Sequence, residues 1–177
     1  MIRLLDIIIS FIGLILFFPL FILISCVVAL DKGSPFLIQK RVGFNLKNFN
    51  LIKFRTMKIG TKFSATHLID SSNITFFGSF LRKFKLDELP QLLNVLIGHM
   101  SLVGPRPCLP NQKRLIMHRK KRGVYKVMPG ITGLAQISGI DMSTPIFLAK
   151  TDSRMIKKMS LYYYFYYIFK SFYLVLK

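Results

Sequence analysis

Lys85-Leu86-Asp87-Glu88-Leu89-Pro90-Gln91, running into Leu92-Leu93-Asn94-Val95-Leu96-Ile97 and closing at Gly98, holds the chain's one glutamate directly after an aspartate. An acid ahead of a proline, then an apolar run and a glycine, predict a short helix from about Asp87 to Ile97. Proline is tolerated in a first turn and damaging in an interior. Both carboxylates then stand at the helix N-terminus, where free N–H groups and the helix dipole favour negative charge. That position suits ionised carboxylates and a bound phosphate, and equally an ordinary N-cap with an acidic first turn. Only seven carboxylates occur among 26 Lys and Arg. An adjacent pair is therefore the first place to look for a nucleophile, a base or a metal ligand.

Upstream, Phe36–Val42 reads as a strand, Gly43 through Asn48 as a turn and Phe49–Met57 as a second strand, giving a hairpin. Lys53 and Arg55, two apart, would share a face of that second strand, either as paired cations or as a solvated edge. Residues Gly60–Asn73 are polar and irregular, a surface loop. Phe76–Lys85 reads as a helix bearing Arg82 and Lys83. Downstream, Arg106 sits between Pro105 and Pro107, which stiffen its backbone and keep it extended. Asn111–Lys126 is a basic helical segment of the kind that faces solvent or lipid headgroups. Pro129-Gly130-Ile131-Thr132-Gly133 is a tight loop whose N–H groups could cup an anion. His67, His99 and His118 are scattered, and no His/Cys cluster has metal-ligand spacing.

The 177 residues suit one domain. A formal charge of +19 demands an anionic partner, either nucleic acid, an anionic membrane surface or phosphorylated substrates. Yet 52% of residues are hydrophobic and mean hydropathy is +0.46, which points to lipid rather than nucleic acid. Cys26 and Cys108 provide no disulfide framework. Leu4 to Leu30 carries a single charge, Asp6, over 27 residues, enough apolar length to span a bilayer. Pro19 kinks it at its middle, and composition by itself favours spanning over turning back. Lys and Arg beyond residue 31 number 25 against Arg3 alone before it, so everything after Leu30 is expected on the cytosolic side. Six of the seven tyrosines lie between Tyr162 and Tyr173, interleaved with Phe165, Phe169 and Phe172. That tail reads as an interfacial helix, with a packed aromatic core as the alternative.

Taken in order, Lys53-Phe54-Arg55-Thr56-Met57, Lys85 to Leu92, Asn94 to Pro107 and Pro129 to Gln136 resemble the bacterial sugar transferases, monotopic phosphoglycosyl transferases that act on polyprenyl phosphate. With the N-terminal apolar segment, the resemblance covers nearly the whole chain. It implies an α+β fold. A re-entrant membrane helix over residues 1–30 is followed by a small, mostly helical cytosolic catalytic domain over 31–177, with a short β-hairpin and interfacial amphipathic helices. It implies transfer of a sugar-1-phosphate from a UDP-sugar to polyprenyl phosphate with release of UMP, the first membrane step of lipid-linked glycan assembly. Asp87 is implied as nucleophile, forming an aspartyl-phosphosugar, and Glu88 as its assistant, directly or through Mg²⁺ held by Asp87 and Glu88. Lys53, Arg55, Arg82, Arg106 and Gln136 are implied as substrate contacts. The expected partners are the UDP-sugar, polyprenyl phosphate, membrane lipids and downstream glycosyltransferases, without nucleic acid. The expected location is the cytoplasmic face of the bacterial inner membrane. The re-entrant topology reverses the preference drawn from composition. The chain departs from the family pattern at Phe18, where serine usually precedes the proline, and at Ile140, where many relatives carry arginine. A noncatalytic, basic, membrane-tethered binding protein remains the competing reading.

Overall fold

The apolar N-terminal stretch forms two helices, α1 (Ile2–Leu16) and α2 (Phe18–Ala29), bent by 63° at Phe17, in a computed structural model that describes residues 1–30, 33–61 and 71–177. The bend lies two residues before Pro19, which occupies the first turn of α2, where its missing N–H breaks no bond that the helix needs. Among the described residues no single helix is long and apolar enough to cross a membrane, although the bent pair passes that test together. The outer face of α1 exposes Leu4, Ile8, Phe11 and Ile15, while Asp6 and Ser10 are buried.

The two charges of α1 fasten it to the rest of the protein. Arg3 donates to the carbonyls of Val95 (2.7 Å) and Leu96 (3.1 Å), which lie at the C-terminal end of α4 (Gln91–Leu96) and lack partners within that helix. Asp6 Oδ1 accepts from Ser101 Oγ (3.0 Å), Leu102 N (3.0 Å) and Tyr164 OH (2.8 Å). A carboxylate buried in an apolar helix is tolerable only with such donors. The far end of the bent pair is tied as well, because Arg55 donates to the Val28 carbonyl (3.4 Å).

The hairpin forms as β1 (Phe36–Val42) against β2 (Asn48–Phe54), antiparallel from Phe36↔Phe54 to Val42↔Asn48. The second strand ends at Phe54 rather than at Met57, so the alternation that would align Arg55 with Lys53 stops between them. Phe36 and Phe54 leave the sheet on the side of α2 and pack on Phe21, with ring centroids 5.6 and 4.8 Å away. Asn94, fully buried, covers the free edge of β2: its Oδ1 accepts from Ile52 N (2.9 Å) and its Nδ2 donates to Asn50 O (2.8 Å). An edge strand is thereby satisfied without a third strand.

Helix α3 (Phe76–Lys83) starts on Thr75, whose Oγ1 accepts from Gly78 N, a standard N-cap. Gly78 allows α3 to rest directly on the backbone, since a Cβ there would lie 2.2 Å from the Thr56 carbonyl. The helix expected over Asp87–Ile97 is two pieces, a 3-10 turn at Leu86–Glu88 and then α4. Lys85 adopts left-handed φ/ψ (53°, 21°), which ends α3 and redirects the chain, and Pro90 cannot donate the bond that would merge turn and helix.

The glycine-bearing stretch expected as a loop contains β4 (Gly130–Thr132), parallel to β3 (Ser101–Val103). A Cβ on Gly130 would fall 1.9 Å from Gly104 N, so the two strands meet through glycine. Helices α5 (Lys113–Lys121), α6 (Leu134–Ile137), α7 (Pro145–Lys157) and α8 (Leu161–Leu176) complete the α+β fold. α5 is shorter than the basic segment predicted and is not wholly surface, since Arg119 is buried on it. Along α8, Tyr164 and Tyr167 are buried while Tyr162, Phe169, Phe172 and Tyr173 are exposed, so one face packs and the other is left apolar and open. The expected Gly60–Asn73 loop falls largely on residues 62–70, outside the described residues.

Candidate active site

Asp87 and Glu88 lie in the 3-10 turn between α3 and α4, with the inner face of the hairpin beside them. A non-glycine residue held in the left-handed region costs on the order of 1 kcal/mol, and Lys85 accepts that conformation immediately before the pair. Its ammonium is one of the charges bearing on Glu88. Glu88 accepts a 2.6 Å ion-pair hydrogen bond from Arg106 Nη2. Burial pulls the Glu88 carboxyl upward, but Arg106, with Lys85 and Lys53, outweighs it and leaves the group below its ordinary value. The partner effect holds Arg106 above its ordinary value, Glu88 being the main cause.

Asp87 differs from its neighbour. It is 7% exposed, and among the described residues no side chain hydrogen-bonds it. Burial, then the adjacent Glu88 charge, push its carboxyl up to about 6, against the pull of Lys53, Arg106 and Arg82. One carboxylate is thus committed to a cation, and the other is uncommitted and more basic. Environments that push two neighbouring carboxyls apart are how a site divides roles between them.

Three of the cations expected at the site surround the pair. Lys53, on β2, has its ammonium pushed down to about 8, chiefly by burial, with Asp87 opposing and Arg106 and Arg41 adding to the shift. Arg82, on α3, donates Nε to Thr56 Oγ1 (2.8 Å) and bears on Asp87. Arg106 reaches Glu88 as above. Arg55 does not join them: its guanidinium goes to Val28 at the end of α2, and it is absent from the charges acting on Asp87 or Glu88. The expected shared face with Lys53 is corrected by the strand's end at Phe54. Gln136, on α6, donates Nε2 to the Gly104 carbonyl (3.3 Å), and its Oε1 is buried without a hydrogen-bond partner.

Arg41 is a site cation that the sequence reading did not single out. It is 8% exposed, donates to Gln39 Oε1 (2.6 Å) and Pro107 O (3.1 Å), and is lowered to about 10 by burial and by Arg106. Beside Glu88 a cavity of about 250 Å³ opens between α1, α8 and the turn, lined by Ile9, Gly13, Phe17, Leu89, Ile131, Ile168, Phe172 and Val175. Its polar end holds Glu88, Lys85 and Thr132, and the Thr132 hydroxyl is buried without a partner. Among the described residues no group of three His, Cys, Asp or Glu could hold a metal by itself. Mg²⁺, however, commonly takes one or two carboxylates and completes its shell with water and substrate phosphates. Two adjacent carboxylates beside several phosphate-seeking cations fit that donor set.

The family described as bacterial sugar transferase matches residues 1–177, the full chain. An uncharacterized sugar transferase of Haemophilus influenzae is 37% identical over 183 residues, covering 90% of this chain and 37% of that protein. A UDP-glucose:undecaprenyl-phosphate glucose-1-phosphate transferase of Xanthomonas campestris pv. campestris is 40% identical over 148 residues, 79% of this chain and 30% of its own length. The exopolysaccharide production protein ExoY of Rhizobium meliloti is 34% identical over 180 residues, 89% of this chain and 77% of its own length. The chain thus spans about a third of the first two proteins and most of the third.

Proposed function

Because the chain belongs to the bacterial sugar transferase family, we propose that it moves a sugar-1-phosphate from a UDP-sugar to polyprenyl (undecaprenyl) phosphate. The observation that carries the mechanism is the division within the acidic pair, with Glu88 bound to Arg106 and Asp87 uncommitted and raised to about 6. An Asp87 oxygen attacks the phosphorus nearest the sugar, the bridging P–O bond breaks and UMP leaves with the electron pair. The polyprenyl phosphate oxygen then attacks the aspartyl-phosphosugar, releasing Asp87 and giving a polyprenyl diphosphosugar. Such carboxylate nucleophiles split one difficult displacement into two easier ones. Lys53, Arg82 and Arg106 neutralise and orient the phosphates, since phosphoryl transfer is mostly positioning and charge compensation. Mg²⁺, held by Asp87 and Glu88, would supply further charge neutralisation at the diphosphate.

The acceptor's chain enters the cavity beside Glu88, whose walls come from α1 and α8, the helices with open apolar faces. Purified protein incubated with UDP-sugars and polyprenyl phosphate is expected to release UMP with at least one of them. No UMP from any sugar of a broad panel would end the proposal.

The first half-reaction should also titrate in a defined way. UDP-sugar has no group ionising near neutrality, so the burst of UMP without acceptor reads the protein alone. Its rate should rise as Asp87 ionises near pH 6 and fall as Lys53 loses its charge near pH 8, a bell reporting the coupled groups together. Arg at position 53 stays charged throughout this range. Lys53→Arg is therefore expected to lose the alkaline limb, and an unchanged bell would remove Lys53 from the site.

We further propose that the bent pair enters the cytoplasmic leaflet of the inner membrane and returns. Support comes from its two ends: Arg3 and Asp6 bind α4, β3 and α8, and Val28 binds Arg55, all on one body. A cysteine placed before Arg3, with Cys26 and Cys108 removed, should resist an impermeant maleimide in intact spheroplasts and react once they are permeabilised. Labelling from outside would make the segment spanning.

A further inference from the structure

Pro105 and Pro107 have no N–H, so the backbone around Arg106 can be fastened mainly through its carbonyls. All three are taken. Pro105 O accepts from Gly130 N (3.0 Å), Arg106 O from Arg119 Nη1 (2.8 Å) and Pro107 O from Arg41 Nη1 (3.1 Å). Arg119 is 1% exposed, and so is Asp152. Nε donates to Asp152 Oδ2 (2.9 Å), Nη2 lies 2.8 Å from the same oxygen as an ion-pair contact without a hydrogen bond, and Nη1 is left for Arg106. α5 and α7 are thereby locked together and both are coupled to one peptide group of the site.

We propose that Arg119, oriented by Asp152, is a positioning residue that presets Arg106 for the diphosphate of the nucleotide sugar. The proposal rests on the reaction given above. Neither Arg119 nor Asp152 touches the acidic pair; they act through the Arg106 backbone, whose side chain ends on Glu88. A buried ion pair is seldom favoured over well-packed apolar groups for stability alone, so fold maintenance does not explain the arrangement. Its particular use is the planar fork, which serves a carboxylate through Nε and a carbonyl through Nη1 at once. A lysine ammonium has no such fork.

Three variants separate positioning from folding. Arg119→Lys keeps the charge opposite Asp152 but gives up the bond to Arg106. Asp152→Asn loosens the fork. The double change Arg119→Met/Asp152→Leu removes both charges, so that even if the single variants unfold, a folded protein without the bond is available. Hydrogen–deuterium exchange at the Gly104 and Gly130 amides, whose bonds to Thr132 O and Pro105 O hold the backbone beside Arg106, reads the geometry without any turnover. Faster exchange confined to these amides is expected in each folded variant, and unchanged protection would overturn the proposal. UMP-release kinetics should show the Michaelis constant for the UDP-sugar raised about 3- to 10-fold, with kcat much less altered. In an Arg106→Ala background the same changes should have no further effect on that constant. A fully additive loss would make the pair a structural element only. If the unaltered protein releases no UMP, the reaction falls, while the exchange comparison still decides whether Arg119 holds Arg106.

Discussion

Replacing Asp87 by Asn is expected to lower UMP release by at least about 10⁴-fold, the scale seen when a covalent nucleophile is removed, while making the protein more stable. The gain follows from the sign of the shift. The folded carboxyl ionises near pH 6 and the unfolded one near its ordinary 3.8. Between those values the unfolded state binds fewer protons, so wild-type stability falls as pH rises and stays lowered above 6. About two pH units correspond to roughly 3 kcal/mol at most, which Asn does not forfeit. Thermal melts should therefore coincide near pH 4 and separate by several degrees at pH 7.5, the variant being higher. Intact mass after UDP-sugar alone should show a phosphosugar adduct on wild type. An adduct persisting on Asp87→Asn would move the nucleophile elsewhere.

Arg106→Ala is expected to raise the Michaelis constant for the UDP-sugar by roughly 10- to 150-fold, since charge-assisted contacts to a phosphate are worth about 1.5–3 kcal/mol. A second consequence follows from the ion pair. Without Arg106, burial acts unopposed by its main counterweight and Glu88 moves upward. Asp87 likewise loses one of the cations that pull it down, so taking this positive charge away raises the titration of the pair as a whole. The acid limb of the half-reaction should shift to higher pH along with the weaker binding. A normal Michaelis constant would remove Arg106 from the nucleotide.

Much of this architecture was legible in local pattern. β1 runs from Phe36 to Val42 as read from alternation, α3 begins at Phe76 behind a threonine cap, and the acidic pair occupies a helix-entry turn. What escaped the sequence depended on distant partners. Lys53 and Arg55 obey the two-residue rule only while the strand lasts, and it ends at Phe54 when Arg55 turns to Val28. Arg41 shares odd-number parity with Lys53 across the register Leu37↔Lys53 and Arg41↔Phe49, so the two lie on one face, but only the pairing register brings them together. Arg119 was hidden likewise in a basic run, and only Asp152, 33 positions later, explains its burial. Parallel pairing of β3 with β4 left no mark, because three residues are too few for a periodicity.

The tie between Asp6 and Tyr164 spans 158 positions, and protein synthesis runs in one direction. At roughly 5–20 residues per second, Asp6 leaves the ribosome on the order of ten seconds or more before its last donor exists. For most of that interval the only acid in the N-terminal stretch lacks Ser101 and Leu102, and throughout it lacks Tyr164, so burying it early would be costly. α1 can therefore take its final seat only after α8 has been made. A segment made long before its partner settles only with it, and any pause in translation between α4 and α8 prolongs the exposure of its apolar surface to chaperones and proteases.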